Sequence, residues 1–93
     1  MYLKNMQEYR VEFTTFSERK IKKLSTKQRE QLFNVVKKLE INPFDKSLKT
    51  HKLSGKSTGY YSCSMNYSDR VIFIMVVNNV ITIIDIGSHD EVY

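Results

Sequence analysis

Arg70, His51, His89 and the lysines Lys49, Lys52 and Lys56 are the residues of this 93-residue chain best suited to act on a phosphodiester. A guanidinium binds phosphate through a planar fork of donors and stabilises the extra charge of a pentacovalent transition state. An imidazole titrates near neutrality, so it can remove or return a proton. RNA supplies its own nucleophile in the 2′-hydroxyl, and such a reaction needs neither a metal nor another cofactor. The sequence offers a metal little: Asp85, Asp90 and Glu91 are neighbours that point in different directions along a strand. The one cysteine, Cys63, permits neither an internal disulfide nor a cysteine-rich zinc site, and reads as a small buried hydrophobe. No Gly-rich phosphate loop of P-loop type is present, and no Ser-His-Asp grouping supports nucleophilic catalysis.

Each of these residues also has an ordinary reading. Arg70 alone is equally a surface salt bridge to Asp85. His89 alone is equally a solvated histidine near the end of the chain. The basic run Arg19–Lys23 is as well explained by the wet side of a helix as by a grip on RNA backbone. Tyr60, Tyr61 and Tyr67 could stack on bases, although Tyr61 falls on the expected core face.

Fifteen Lys and Arg against ten Asp and Glu give a formal charge of +5. That balance favours an anionic partner such as nucleic acid, a ribosome, a membrane surface or an acidic protein, unless the chain is simply basic. The length fits one domain, residues 1–93, which buries about 60–65% of the surface its unfolded chain exposes. A full core leaves no room for a deep cofactor cavity. The opening residues "MYLKNMQEYR" lack an apolar signal core and no stretch approaches a membrane span, so a cytoplasmic protein is expected.

The elements that must position these residues follow from periodicity. "YRVEFTT" alternates Tyr9, Val11 and Phe13 against Arg10, Glu12 and Thr14, as a half-buried strand does. Ser17 opens a short basic helix with Ile21 and Leu24 on one side. Ser25 and Gln28 stand at capping-box spacing ahead of a second helix, with Leu32, Phe33, Val35, Val36 and Leu39 on its buried face. Asn42-Pro43 ends it. Residues 42–59 read as a long loop, and long loops in compact domains are often functional. Three strands follow, "YYSCSMN", "RVIFIMVV" and "VITIIDIG", the last two joined by an Asn78-Asn79 turn. The order β-α-α-β-β-β predicts an α+β fold, a helical hairpin packed on a small, mainly antiparallel sheet.

A two-residue turn at Asn78-Asn79 sets Val77 against Val80 and Arg70 against Gly87, with Asp85 and His89 as diagonal neighbours. A three-residue turn at Tyr67-Ser68-Asp69 sets Asn66 against Arg70 and Ser64 against Ile72. One face then collects Tyr60, Ser62, Ser64, Asn66, Arg70, Asp85 and His89. The other, the core face, collects Tyr61, Cys63, Met65, Val71, Phe73, Met75, Ile84 and Ile86. Gly87 opposite Arg70 leaves room above the sheet for a ligand.

On these residues a resemblance can be recognised. "THKLSGK", "YYSCSMNYSDRVIF" and "IDIGSHDEVY" together resemble the RelE/ParE toxin superfamily of bacterial type II toxin–antitoxin systems, and most of all its YafQ-like and RelE-like branch, which cleaves messenger RNA. The resemblance implies a RelE-like fold, a ribosome-dependent and metal-independent endoribonuclease that blocks translation, and a cognate antitoxin that holds it inactive. It implies that His89 is the catalytic histidine, that His51 is the loop histidine and Asp69 the acid of the strand turn (with Ser68 competing for that place), and that Arg70 and Tyr93 match the family's strand arginine and final aromatic. Lys49, Lys52, Lys56, Tyr60, Ser64 and Tyr93 would contact substrate. The chain departs from the pattern at Ser64, where the branch carries a further histidine or an arginine, and at Asp85, where many relatives are basic. Two other outcomes stay open: a ParE-like toxin that poisons DNA gyrase without cutting RNA, and a catalytically retired module that binds only its antitoxin.

Overall fold

The computed structural model describes residues 8–55 and 59–93, so Lys56 lies outside the described residues. Strand β1, Arg10–Phe13, keeps the expected alternation: Val11 and Phe13, with Tyr9 ahead of them, pack on the core while Arg10 and Glu12 face solvent. Helix α1, Thr15–Lys22, begins two residues before Ser17. Thr14 has the extended backbone of an N-cap, and its Oγ1 accepts from Ser17 N at 3.0 Å. Ser17 has a different task. Its hydroxyl is fully buried and donates to the Ile83 carbonyl at 2.9 Å, which ties α1 to the sheet.

Helix α2, Thr26–Ile41, opens with the expected capping box: Ser25 Oγ accepts from Gln28 N at 3.1 Å, and Ser25 N donates to Gln28 Oε1 at 2.9 Å. Leu32, Val35 and Leu39 are buried and Val36 packs beside them. Phe33 leaves the expected set; it stands 61% exposed, one residue off the buried stripe, with the Lys37 ammonium over its ring. Asn42 turns extended ahead of Pro43, as the residue before proline is driven to do.

The segment expected as a plain loop carries structure. A 3-10 turn at Lys46–Leu48 is capped by Asp45 and buries Leu48, and strand β2, His51–Lys52, pairs with the sheet edge. Two exposed residues have no periodicity to read. Strands β3 (Tyr61–Ser64), β4 (Asp69–Val76) and β5 (Val80–Ser88) complete a five-stranded sheet in the order β1-β5-β4-β3-β2. Among the described residues only the β1–β5 pairing is parallel. A short helical turn α3, His89–Val92, follows. This is the α+β arrangement predicted from the order of elements, with β2 and α3 added.

Two register expectations change. Val76, not Val77, pairs with Val80, leaving Val77-Asn78-Asn79 as a three-residue connection with both asparagines at positive φ. A bulge then restores the offset: the register shifts between Ile72 and Phe73, skipping Ile84, and Arg70 does lie opposite Gly87. The bulge also exchanges Ile84 for Ile83 in the core, beside Ile81 and Ile86. Met75, expected inside, sits near the turn at 36% exposure. At the β3–β4 turn the pairing is Ser64 with Arg70 and Ser62 with Ile72, two residues from the expected register. Asn66 causes this. Its Oδ1 accepts from Ser68 N at 2.8 Å and Asp69 N at 2.7 Å, which pulls Asn66 out of the ladder into the turn. A shift of two keeps every side chain on its expected face.

Candidate functional site

The sheet face turned away from the core brings polar residues together in two rows. One row runs His51–Ser62–Ile72–Asp85 across β2, β3, β4 and β5. The next runs Ser64–Arg70–Gly87. Directly paired residues share a face, with Cβ atoms about 4.5–5.5 Å apart.

His89 does not extend β5 as expected. The strand stops at Ser88, whose Oγ accepts from Glu91 N at 3.3 Å while its own N–H donates to Glu91 Oε1 at 2.8 Å. This second capping box turns the chain into α3 and makes His89 its first residue. Ser-x-x-Glu is as readable here as Ser-x-x-Gln at Ser25, and it is the signal the strand pattern concealed. Glu91 also takes the space reserved for a ligand over Gly87: a Cβ on Gly87 would lie 2.8 Å from Glu91 Oε1. The hydrogen bonds from the Ser88 backbone and side chain hold the Glu91 carboxyl below its ordinary range.

Four residues after His89, Tyr93 returns on the same side of the turn, its N–H donating to the His89 carbonyl at 3.1 Å. The two rings meet edge to face, centroids 4.4 Å apart at 88°. The Tyr93 hydroxyl hydrogen-bonds Ser62 Oγ, and Ser62 is wholly buried. Ser62 is therefore a site residue that sequence reasoning placed on the right face but did not single out. His51 lies directly across the ladder from it, exposed, with Nδ1 3.3 Å from the Lys49 carbonyl. Both imidazoles thus flank the Ser62–Tyr93 contact. His89 is open to solvent, and Asp90 Oδ1 lies 3.7 Å from its Nδ1.

Arg70 is not held by Asp85. Its Nη1 donates to the carbonyls of Asn66, Tyr67 and Asp69 at 3.2, 3.2 and 3.1 Å, and no carboxylate among the described residues pairs with it. Asp85 instead takes the Lys20 ammonium of α1 at 2.7 Å, in a half-buried position. Arg70, Ser64 and Lys49 line one cleft.

Other expected members do not converge. Asp69 follows strand alternation to the opposite side from Arg70, where its carboxylate accepts from Asn66 Nδ2 at 2.7 Å and Gln28 Nε2 at 3.2 Å. Lys52 pairs with Tyr61 and so falls on the other face from His51. Tyr60 is exposed at the entrance to β3, its carbonyl accepting from Leu53 N at 2.9 Å. Among the described residues no group of three or more His, Cys, Asp or Glu is placed to hold a metal ion, and no helix is long and apolar enough to cross a membrane. The arrangement offers two imidazoles, a phenol and an uncompensated guanidinium on one open surface.

No family model matches the sequence, and no curated protein matches it. Solved structures match along most of the chain. A YoeB/ParE toxin from Agrobacterium tumefaciens superposes with a TM-score of 0.75 at 17% identity, over 86% of this chain and 98% of that one. The RelBE2 toxin–antitoxin complex from Mycobacterium tuberculosis matches with a TM-score of 0.76 at 18% identity, over 88% and 99%. YafQ from E. coli matches with a TM-score of 0.72 at 18% identity, over 91% and 98%. Identities this low speak for a shared fold.

Two predictions follow from the α3 turn. Ser62→Ala removes the partner of the Tyr93 hydroxyl, so the Tyr93 ring should lose its fixed place against His89. The His89 ring-proton NMR resonances should move toward random-coil positions, and resonances that stay put would contradict the link. The second concerns pH. Because the folded Glu91 carboxyl is depressed, its contribution is complete above the ordinary glutamate range and is lost as pH falls through the folded value. The Ser88 amide resonance should therefore titrate at a pH below that range, and Glu91→Gln should abolish the titration. A Ser88 amide indifferent to acid would contradict the capping box.

Proposed function

We propose that this chain, which has the fold of the RelE/ParE toxins, is the toxin of a type II toxin–antitoxin pair and cleaves messenger RNA on the ribosome. The observation that carries this reading is the placement of His89. A capped turn delivers it to the polar face, Tyr93 and Ser62 pin that turn, His51 stands across the strand, and Arg70 pairs with no carboxylate among the described residues.

In this reading the RNA 2′-hydroxyl attacks its adjacent phosphorus. One imidazole takes the 2′-hydroxyl proton as the new O–P bond forms. The other returns a proton to the departing 5′-oxygen as the old bond breaks, and His89 and His51 fill these two roles. Arg70 stabilises the phosphorane with the donors its turn contacts leave unused. Tyr93 supplies a ring beside His89 for packing or stacking on a base. Lys49 holds backbone phosphate from the rim. Asp69 acts through the turn that seats Arg70, and Lys52 and Tyr60 serve the periphery.

Dependence on the ribosome follows from how open the site is. An exposed histidine on a flat face cannot orient a flexible strand by itself, so the message must be presented by a larger body, and a charge of +5 suits approach to ribosomal RNA. The antitoxin is inferred from the solved complexes of RelBE2 and of YoeB with YefM. Ser64, directly across from Arg70, offers a hydroxyl where a basic side chain would add a second phosphate contact. That favours, as the second reading, a retired toxin that only binds its antitoxin.

The test is the chemistry of the cut ends. Messages cut by the wild-type protein should carry a 2′,3′-cyclic phosphate or 3′-phosphate and a 5′-hydroxyl, and His89→Ala should slow cutting by about 10²–10⁴-fold. Ends with a 5′-phosphate would contradict the mechanism, and growth unaffected by expression of the chain alone would favour the retired module.

A further inference from the structure

We propose that the cleft between the 3-10 turn and the β3–β4 turn is a nucleotide subsite, in which a base stacks on Tyr67 and its phosphate is held by Lys49. The proposal rests on the RNA-cleaving reading above and adds to it the residues that select the sequence to be cut.

The cleft measures about 340 Å³ and runs from Ser47 and Lys49 to Arg70, with residues 64–67 between them. That volume lies within the range of small-ligand sites. The lining holds two cations and no carboxylate. The two acids nearby are engaged elsewhere. Asp45 accepts from the Ser47 hydroxyl at 2.6 Å and the Ser47 N–H at 2.9 Å, with the Lys38 ammonium 2.7 Å from the same hydroxyl. Asp69 is held by Asn66 and Gln28. The cleft is therefore electropositive.

Tyr67 is 98% exposed, so it contributes nothing to the core. Its backbone is nonetheless fixed. The Tyr67 carbonyl accepts from Arg70 Nη1, and the Asn66 side chain bridges the two amides that follow. A bare aromatic ring on a braced turn suits stacking, because every base has a π-face and the backbone has little freedom left to lose on binding. Lys49 adds an independent sign. It caps the 3-10 turn at φ 53°, a left-handed conformation that glycine adopts without strain and lysine does not. What lysine brings to that position is an ammonium on the cleft rim.

The cleft also lies at the right place. Ser64 in its floor is two residues along β3 from Ser62, on the same face and about 7 Å away. Ser62 carries Tyr93, and Tyr93 carries His89. The separation is comparable to one phosphate-to-phosphate step of single-stranded RNA, so the subsite takes the nucleotide next to the bond being cut. The Asn66 amide is saturated by Gln31, Asp69 and the turn, and the Ser47 hydroxyl by Asp45 and Lys38, which leaves the Ser64 hydroxyl to touch the base edge.

The experiment has two arms. In ribosomal cleavage, Tyr67→Ala should raise KM by roughly 5- to 150-fold, the loss of one stacked base, and flatten the distribution of cut sites, while Tyr67→Phe restores both. Lys49→Gln should raise KM without flattening the distribution. An unchanged distribution and KM in Tyr67→Ala would overturn the proposal. In the second arm the wild-type protein alone is titrated with a 2′-deoxy trinucleotide and followed by NMR. Shifts at Lys49, Ser64, Tyr67 and Arg70 that vanish in Tyr67→Ala support the subsite even if the wild-type protein cuts no message, an outcome that would sink only the nuclease reading. Absence of those shifts overturns the subsite even where cutting is intact.

Discussion

The pair of hydrogen bonds between Ser88 and Glu91 decides what the end of the sheet can do. Strand β5 pairs with β1 only as far as Ile83 but with β4 up to Ser88, and without a stop signal it would continue along that ladder. The capping box ends it one residue before His89. The same carboxylate closes over Gly87, where a methyl group would collide with it, so the glycine and the cap require each other. The turn that follows sets His89 and Tyr93 four residues apart and therefore side by side. Tyr93 then meets Ser62, which is wholly buried and whose hydroxyl has no other side-chain partner among the described residues. An unsatisfied buried hydroxyl costs about 1–3 kcal/mol, so the pairing stabilises the turn as well as placing the ring.

The fold was legible because its large elements obey simple periods. β1 alternates, α2 carries a capping box and a buried stripe, and the strand-rich half follows in order. Smaller errors came from features with competing readings. Thr14 and Ser17 are both good caps, and only the buried Ile83 carbonyl shows why the second is needed elsewhere. Asn66 reads as strand until its side chain is seen closing the turn. Arg70 met Gly87 as expected because a longer turn and a bulge at Ile84 offset each other. Strand β2 is two exposed residues long, and nothing in His51-Lys52 announces it.

The site was legible in its residue types more than in its contacts. His51 and Arg70 share a face by strand parity, whereas His89 and Tyr93 reach it through the capped turn rather than along the strand. The Arg70–Asp85 pair did not form, because α1 brings Lys20 to Asp85 and leaves the guanidinium to the turn carbonyls. That exchange matters for charge. The acid that would have lowered the potential at Arg70 is neutralised by Lys20, and the surface around Arg70 stays positive. Asp69 lies apart from Arg70 because neighbours on a strand point to opposite faces, so the acid beside Arg70 in sequence meets Asn66 and Gln28 on the far side of the sheet. Ser62 was passed over because a serine in a strand carries no signal until the ring that covers it is known.

The measurement that bears most directly on this account is message integrity in a reconstituted translation reaction, with cut positions mapped by primer extension. The wild-type chain is added with ribosomes, the wild-type chain without ribosomes, and His89→Ala with ribosomes. The account predicts discrete cuts in the first reaction only. Intact messages in all three, or equal cutting by His89→Ala, would contradict it.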